Sequence, residues 1–311
     1  MAHHDLPASP ETIAWGYLEA KRPPVLRIAS GDTVTVHAVV AGGPEFFPPE
    51  PGLVDDAHRR IVETVPHDMG AHLLTGPVFV EGASPGDVLQ VDILDVTLRD
   101  DWGWVGVLPL LGTLPDEFPD AEIIHPRLDR TRMVAVLPWG KELPLDPFFG
   151  IMAVAPPPAW GRVTSNVPRS FGGNMDNKEL KPGTTLYLPV HAEGALFSAG
   201  DGHAVQGDGE VCITAIETGL SGTFRLTVRK DLDYRTPFAE TATHLISIGI
   251  HEDLDDAAAM AVREMVAHVR RRTALTRNHA YMLCSLIGDL RVTQTVDGNK
   301  GCHMMLAKAH L

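Results

Sequence analysis

The sequence predicts a mainly β protein of the α+β class, with a sandwich-like core of many short antiparallel strands and a few C-terminal amphipathic helices. Three observations carry that prediction. Apolar and polar residues alternate through most of the chain, turn-forming residues separate the alternating runs, and the period becomes helical after Asp255.

In Asp32 to Val40 (DTVTVHAVV), Val34, Val36, Ala38 and Val40 share one face, because successive side chains of an extended chain point to opposite sides. The same alternation runs through Asp87 to Leu98, Val211 to Glu217 and Phe224 to Arg229, so each is expected to be a strand with one wet face. Turns such as Pro85-Gly86-Asp87 and Lys181-Pro182-Gly183 lie between them, proline presetting one torsion and glycine accepting the next. Most of the 29 Gly and 25 Pro fall between the runs, as a sandwich or barrel with many short connections requires.

Val262, Met265, Val266 and Val269 then recur at helical spacing, which predicts a helix over 255–272. Ala280, Leu283, Cys284 and Ile287 predict a second over 277–288. A methionine-bearing stripe of this kind is a packing surface. The alternating RVTQTV within Leu290 to Ala307 returns the chain to the sheet. Residues 1–311 read as one unit, within which the proline-rich Ala155 to Trp160 (APPPAW) offers a division into an N-terminal β layer, 1–155, and a β-rich part with the helices, 156–311.

Composition narrows the function. With 40 Asp+Glu against 26 Lys+Arg, the formal charge of −14 argues against nucleic acid as a partner, since phosphate neutralisation needs clustered cations. Arg270, Arg271 and Arg272 form the one obvious basic run, and they close the expected helix, where cations complement its dipole. Three scattered cysteines fit neither a disulfide framework nor a paired zinc motif. The N-terminal MAHHDLPASP lacks a basic segment followed by an apolar run, and the longest apolar stretch, Trp104 to Leu114, is broken by Gly and Pro. A cytoplasmic protein without a membrane association is therefore expected.

Polar chemistry concentrates in three stretches: Gly76 to Ala83 (GPVFVEGA), Gly172 to Asn177 (GGNMDN) and Gly200 to Glu210 (GDGHAVQGDGE). In the last, Asp201 and His203 are two apart, so an extended backbone places both on one face, and a glycine-rich turn leads on to Glu210. One imidazole among carboxylates and an Asn suits several divalent cations. Strings of this type also form Asp-capped turns. The number of acids here exceeds what a turn needs, and they repel one another unless exposed or neutralised.

The run GGNMDNKELKPGTTLYLPVHAEGALFSAGDGHAVQGDGEVCITAIE, with TGPVFVEGASPGD upstream and AYMLCSLIGDLRVTQTV downstream, resembles the acetamidase/formamidase family of amide hydrolases. The resemblance extends from about Val36 to Lys308. It implies a mostly β fold, hydrolysis of short aliphatic amides to the acid and ammonia, γ-lactam opening in some relatives, and an association with metal. The chain departs from the family pattern at Ser84, where an acid precedes Pro-Gly-Asp in relatives, and at Asp146-Pro147-Phe148, where many carry His-Pro-Phe. Those departures leave the substrate open.

Amide hydrolysis needs an activated nucleophile, a stabiliser for the oxyanion and an acid for the departing amine, and a divalent cation can serve the first two. With the resemblance in hand, metal ligation is assigned to Asp176, His203 and Glu210, with Asn174 and Asp201 as further ligands or orienting groups. Zinc is the expected ion and calcium the alternative. Glu81 is the candidate general acid/base, because it ends the apolar strand TGPVFV, and Glu210 is a second catalytic carboxylate. His72 is a candidate for the substrate pocket. A homodimer or higher homo-oligomer acting on a small-molecule amide is expected. Rival readings are an iron oxidoreductase on a β-sandwich, a binding protein without activity, and a cysteine-dependent amidase using Cys302.

Overall fold

Alternation translates directly into strands in the computed structural model, which describes residues 1–311. Thr33–Ala38 keeps Val34, Val36 and Ala38 fully buried, and Leu220–Arg229 pairs with it in antiparallel register, Gly222 opposite Val36 and Phe224 opposite Val34. Val88–Leu98 lies on the other side of Leu220–Arg229, with Leu226 opposite Val91. Thr185–Pro189, Phe238–Glu240, His244–His251, Lys300–Ala307 and Gly288–Gln294 extend the sheet, and His3–Leu6 completes nine strands at its far edge.

A second sheet faces the first. It runs in the order Gly172–Asn174, Phe148–Ala153, Phe197–His203, Leu73–Val80, Ile13–Trp15, with Glu217–Thr218 paired to Phe197–His203 and Leu26–Ile28 to Leu73–Val80. Phe224 of the first sheet meets Phe149 and Phe197 of the second at ring-centroid separations of 5.4 and 5.6 Å, both edge-to-face. The main core cluster of 42 buried residues draws on both sheets, so they close on one interior. Strands from either side of residue 155 mix within each sheet, with Phe148–Ala153 beside Phe197–His203 and Val88–Leu98 beside Thr185–Pro189.

The two expected helices are Leu254–Arg272 and Arg277–Ile287. Asp253 caps the first by accepting from the amides of Asp255 and Asp256, and Arg270, Arg271 and Arg272 occupy its last turn. The helix lies close on the sheet. Gly249 faces the Ala257 carbonyl with no room for a Cβ, and Ser247 Oγ donates to Ala261 O at 2.6 Å. No helix is long and apolar enough to cross a membrane.

Two local expectations are corrected. Val211 to Glu217 is not a strand, because only Glu217–Thr218 pairs and Ile213 has φ 78°. Its alternation reflects packing against a neighbouring segment, where Thr214 Oγ1 accepts from the Gly106 amide at 3.1 Å while Ala215 and Ile216 are buried. A helix at Asp56–Thr64 was not expected. Asp55 caps it, and only His58 and Ile61 are buried, too few for a conspicuous apolar stripe.

Two buried histidines give the fold an acid dependence. His268 is stacked on Phe238 at 3.6 Å between centroids, and burial followed by the nearby Arg272 and Arg271 lowers its pKa to about 3. Burial likewise lowers His58 to about 4, against the pull of Asp55. Between the ordinary value of 6.5 and these values, the unfolded chain binds protons that the folded chain refuses. Stability is therefore full above pH 6.5 and falls on acidification, by about 1.4 kcal/mol per pH unit for each histidine. His268→Phe should reduce that slope in urea denaturation between pH 7 and 5. An unchanged slope would remove His268 as its source.

Candidate active site

Phe197–His203 (FSAGDGH) is buried throughout and lies in the middle of the second sheet. Its glycines permit close strand approach: a Cβ on Gly200 would lie 2.6 Å from the Leu73 carbonyl, and one on Gly202 would strike Thr218 O. The acids and histidine between them then reach a shared space. Gly150 of the neighbouring strand forms one wall, where a Cβ would collide with Asp176 Oδ1, Asp201 Oδ2 and His203 Cε1. The GGNMD segment folds over the same glycine, since the amides of Met175 and Asp176 both donate to Gly150 O, at 3.2 and 3.3 Å.

His203 is the centre. Its side chain is 1% exposed, and Nε2 lies 3.3 Å from Asp201 Oδ2, 3.4 Å from Glu217 Oε2 and 3.9 Å from Asp176 Oδ1. Gln206 fixes the ring by pairing its Oε1 with Nδ1 at 2.8 Å while its Nε2 donates to Asp176 O at 2.8 Å. Glu210 completes the group from the turn after the strand, a turn tied to the first sheet by Gly209 N donating to Thr293 O at 2.9 Å. Two triads result, Asp176–His203–Glu210 and Asp201–His203–Glu217, and within each the ligand atoms lie within 4.8 Å of one another.

Asp176, Asp201, His203 and Glu210 are thus brought together. Asn174 is also buried, donating from Nδ2 to Asn166 O at 3.4 Å, with Oδ1 unpartnered. His72 reaches the edge of the group, Nε2 lying 3.9 Å from Asp201 Oδ1 and Nδ1 pairing with Ser165 Oγ at 2.9 Å. Asp208 stays outside, paired with Lys178 at 3.0 Å.

Glu81 is not brought to the cluster. The ladder sets Ala199 opposite Thr75 and Phe197 opposite Val78, so Asp201 and His203 lie towards Leu73 while Glu81 leaves the opposite end, exposed. The assignment failed because an apolar strand has two ends and its sequence does not say which approaches the site.

Two further acids join the group. Glu217 stands directly opposite His203 in the ladder, its Oε1 accepting from Ala215 N at 3.0 Å. Asp297 sits in the hairpin before Lys300–Ala307, and Gln294 shapes that hairpin by accepting from the amides of Val296 and Asp297. The only sequence signal for Glu217 was its place directly after the apolar Ala215-Ile216, and Asp297 had none.

Five buried carboxyl groups now share one pocket with one buried histidine. Burial, then Asp176, pushes Glu210 well above its ordinary value. Burial also raises Asp176, and burial with Asp176 and Glu210 raises Asp297 well up. Glu217 is pushed up by burial to about 7, with His203 pulling the other way. For Asp201 burial is outweighed by His203 and His72, which hold it below the usual carboxylate range. His203 is raised, because Glu217 and Asp201 overcome the burial that opposes its charge.

One imidazolium does not satisfy this group. Both oxygens of Asp176, Oε2 of Glu210 and Glu217, and Oδ2 of Asp297 are buried without a hydrogen-bond partner. Asp176 and Asp297 adjoin, but a bond between them requires one to be protonated. Buried carboxylates left unpaired are costly, and a bound cation removes that cost. The donors, one imidazole nitrogen with several carboxylate oxygens, fit a divalent metal. Three of these acids also have left-handed backbone, with φ 47° at Asp176, 60° at Asp201 and 44° at Glu210. That conformation is disfavoured for a side chain bearing a Cβ and concentrates at functional sites.

The profile of the Acetamidase/Formamidase family matches residues 23–164 and 159–308. The chain belongs to this family. A formamidase of Methylophilus methylotrophus is 32% identical over 196 residues, 45% of this chain and 47% of that protein. An acetamidase of Mycolicibacterium smegmatis is 31% identical over 207 residues, 48% of this chain and 51% of that protein. The chain thus spans about half the length of the curated relatives it matches. A crystal structure of an acetamidase from Bacillus halodurans superposes with a TM-score of 0.85 at 32% identity, covering 98% of each chain.

Acid crowding in this family member has a stability consequence. Asp176→Asn removes one repelling carboxyl at a position where Asn tolerates the left-handed backbone. In chelator-treated protein it should raise Tm by roughly 1–2 °C, corresponding to about 1 kcal/mol. A lower Tm, read by calorimetry, would contradict the crowding.

Proposed function

We propose that this protein hydrolyses a carboxamide to a carboxylate and ammonia with one divalent cation, held by Asp176, His203 and Glu210. The observation that carries this reading is the set of buried, unpartnered oxygens on Asp176 and Glu210 facing His203. Family membership and the names of the relatives, formamidase and acetamidase, support the reaction class. Zinc suits a site centred on imidazole nitrogen, whereas calcium prefers an all-oxygen shell of six or more ligands.

When bound, the cation supplies Lewis acidity, which favours deprotonation of water and polarises the amide carbonyl. The chain's own residues supply the rest. Gln206 accepts from His203 Nδ1–H, which leaves Nε2 free as a donor atom. Glu217 takes over the general acid/base role first assigned to Glu81. Its carboxyl, which burial holds above the ordinary carboxylate range, can accept a proton from the attacking water and return it to nitrogen as the C–N bond breaks. Asn174 and Asp201 orient the group, and His72 borders Asp201. The near-complete burial of His203 and Asp176 keeps bulk water from the charges.

The reaction belongs in a reducing cytoplasm, on the ground of three unpaired cysteines. A homodimer or higher homo-oligomer fits the exposed Tyr281, Met282 and Leu286 on the helix Arg277–Ile287.

Ammonia release from formamide, acetamide and longer primary amides is the direct assay. Glu217→Gln should lower kcat by roughly 10²–10⁴-fold while metal content stays as in the parent. Glu81→Gln, on the exposed strand end, serves as the comparison. No ammonia from any amide, or full activity in Glu217→Gln, would refute the corresponding part of the proposal.

A further inference from the structure

The acid cluster has an apolar neighbour. A cavity of about 320 Å³ is lined by Gln206 and Glu210, both members of the site, and by Val105, Leu137, Leu143 and Ile216. Trp139 and Val211 also line it, and both are conspicuously exposed for large apolar residues, at 66% and 63%. The loop carrying exposed Leu110, Leu111 and Leu114 lies against the same rim, with Thr113 N donating to Val211 O at 2.8 Å. An apolar collar therefore surrounds an opening that reaches a catalytic-site carboxylate.

We propose that this cavity is the acyl-side subsite, and that the substrate is a neutral primary amide with a bulky apolar acyl group, aryl or medium-chain aliphatic. The inference rests on the amide-hydrolysis reading above. Volume is the first argument. Taking a water as about 30 Å³ of liquid, the cavity corresponds to roughly ten waters, whereas acetamide, with four non-hydrogen atoms, displaces only about two or three. A formyl or acetyl group would leave most of the apolar wall wet, and a phenyl ring or a five-carbon chain would cover it.

Charge is the second argument. Asp208 and Glu210 are the carboxyl groups lining the cavity, Cys212 adds a thiol and no cation lines it, and Lys178 is already paired with Asp208, so nothing there welcomes an anionic substituent. Position is the third. Gln206 touches both His203 and the cavity, so an amide carbon placed beside Glu210 has its acyl chain directed into the apolar space.

The test measures kcat/KM of the metal-bound protein for acetamide, hexanamide and phenylacetamide, with phenylacetamide binding followed by Trp139 fluorescence. Hexanamide and phenylacetamide should exceed acetamide at least tenfold, since one methylene in an apolar pocket is worth about 10-fold or more. Leu143→Trp, or Val105→Phe if that variant does not fold, should reduce the ratio by narrowing the cavity. The fluorescence response should vanish in Trp139→Phe. A ratio at or below one, with acetamide turned over, would overturn the inference and leave the hydrolysis reading intact. Saturable binding without turnover of any amide would instead sink the hydrolysis reading and support the ligand class. Neither binding nor turnover would overturn both.

Discussion

The burial of five carboxyl groups around one histidine is the constraint on which this site depends. Such a group is stable only if protons, hydrogen bonds or a cation offset its mutual repulsion and lost hydration. His203 offsets part of it, and Gln206 spends its own bonds on holding His203 and Asp176 in place. Oxygens of Asp176, Glu210, Glu217 and Asp297 remain without partners. Their arrangement is costly without a cation and is what a divalent site requires.

The sandwich makes this arrangement achievable. A central strand presents Asp201 and His203, its neighbours present Glu217 and the Gly150 wall, and turns supply Asp176, Glu210 and Asp297. Glycine serves close approach at Gly150, Gly200 and Gly202, where the space a side chain would need belongs to carbonyls or to the acids themselves. The left-handed backbone of Asp176, Asp201 and Glu210 is a further local cost that the surrounding ladders hold in place. Where the turn carrying Glu210 meets solvent, the lining becomes apolar.

Much of this was legible in the chain. Period alone located the strands around Val34, Leu226 and Val91 and both late helices, because those segments bury one regular face. Asp201 and His203 do approach to 3.3 Å, but through a left-handed backbone at Asp201, φ 60°, and not through the extended chain that the one-face argument assumes. Long-range register was not legible. Glu217 and Glu81 each follow an apolar run, but only the ladder partners, His203 for one and none of the site for the other, distinguish them. Asp297 reaches the cluster by a hairpin whose shape depends on Gln294, and the apparent strand Val211 to Glu217 owes its pattern to packing along a cavity wall. Side chains that meet through tertiary pairing leave no periodic trace.

The central claim is that one divalent ion, with the protons the raised carboxyl groups retain, offsets the charge of this cluster. Titrating chelator-treated protein with zinc, followed by calorimetry and by the shift in Tm, tests it most directly. The account predicts saturable binding of one equivalent per chain and a Tm that rises with zinc concentration, both lost in His203→Ala. Absence of binding with an unchanged Tm, or binding that survives His203→Ala undiminished, would contradict it.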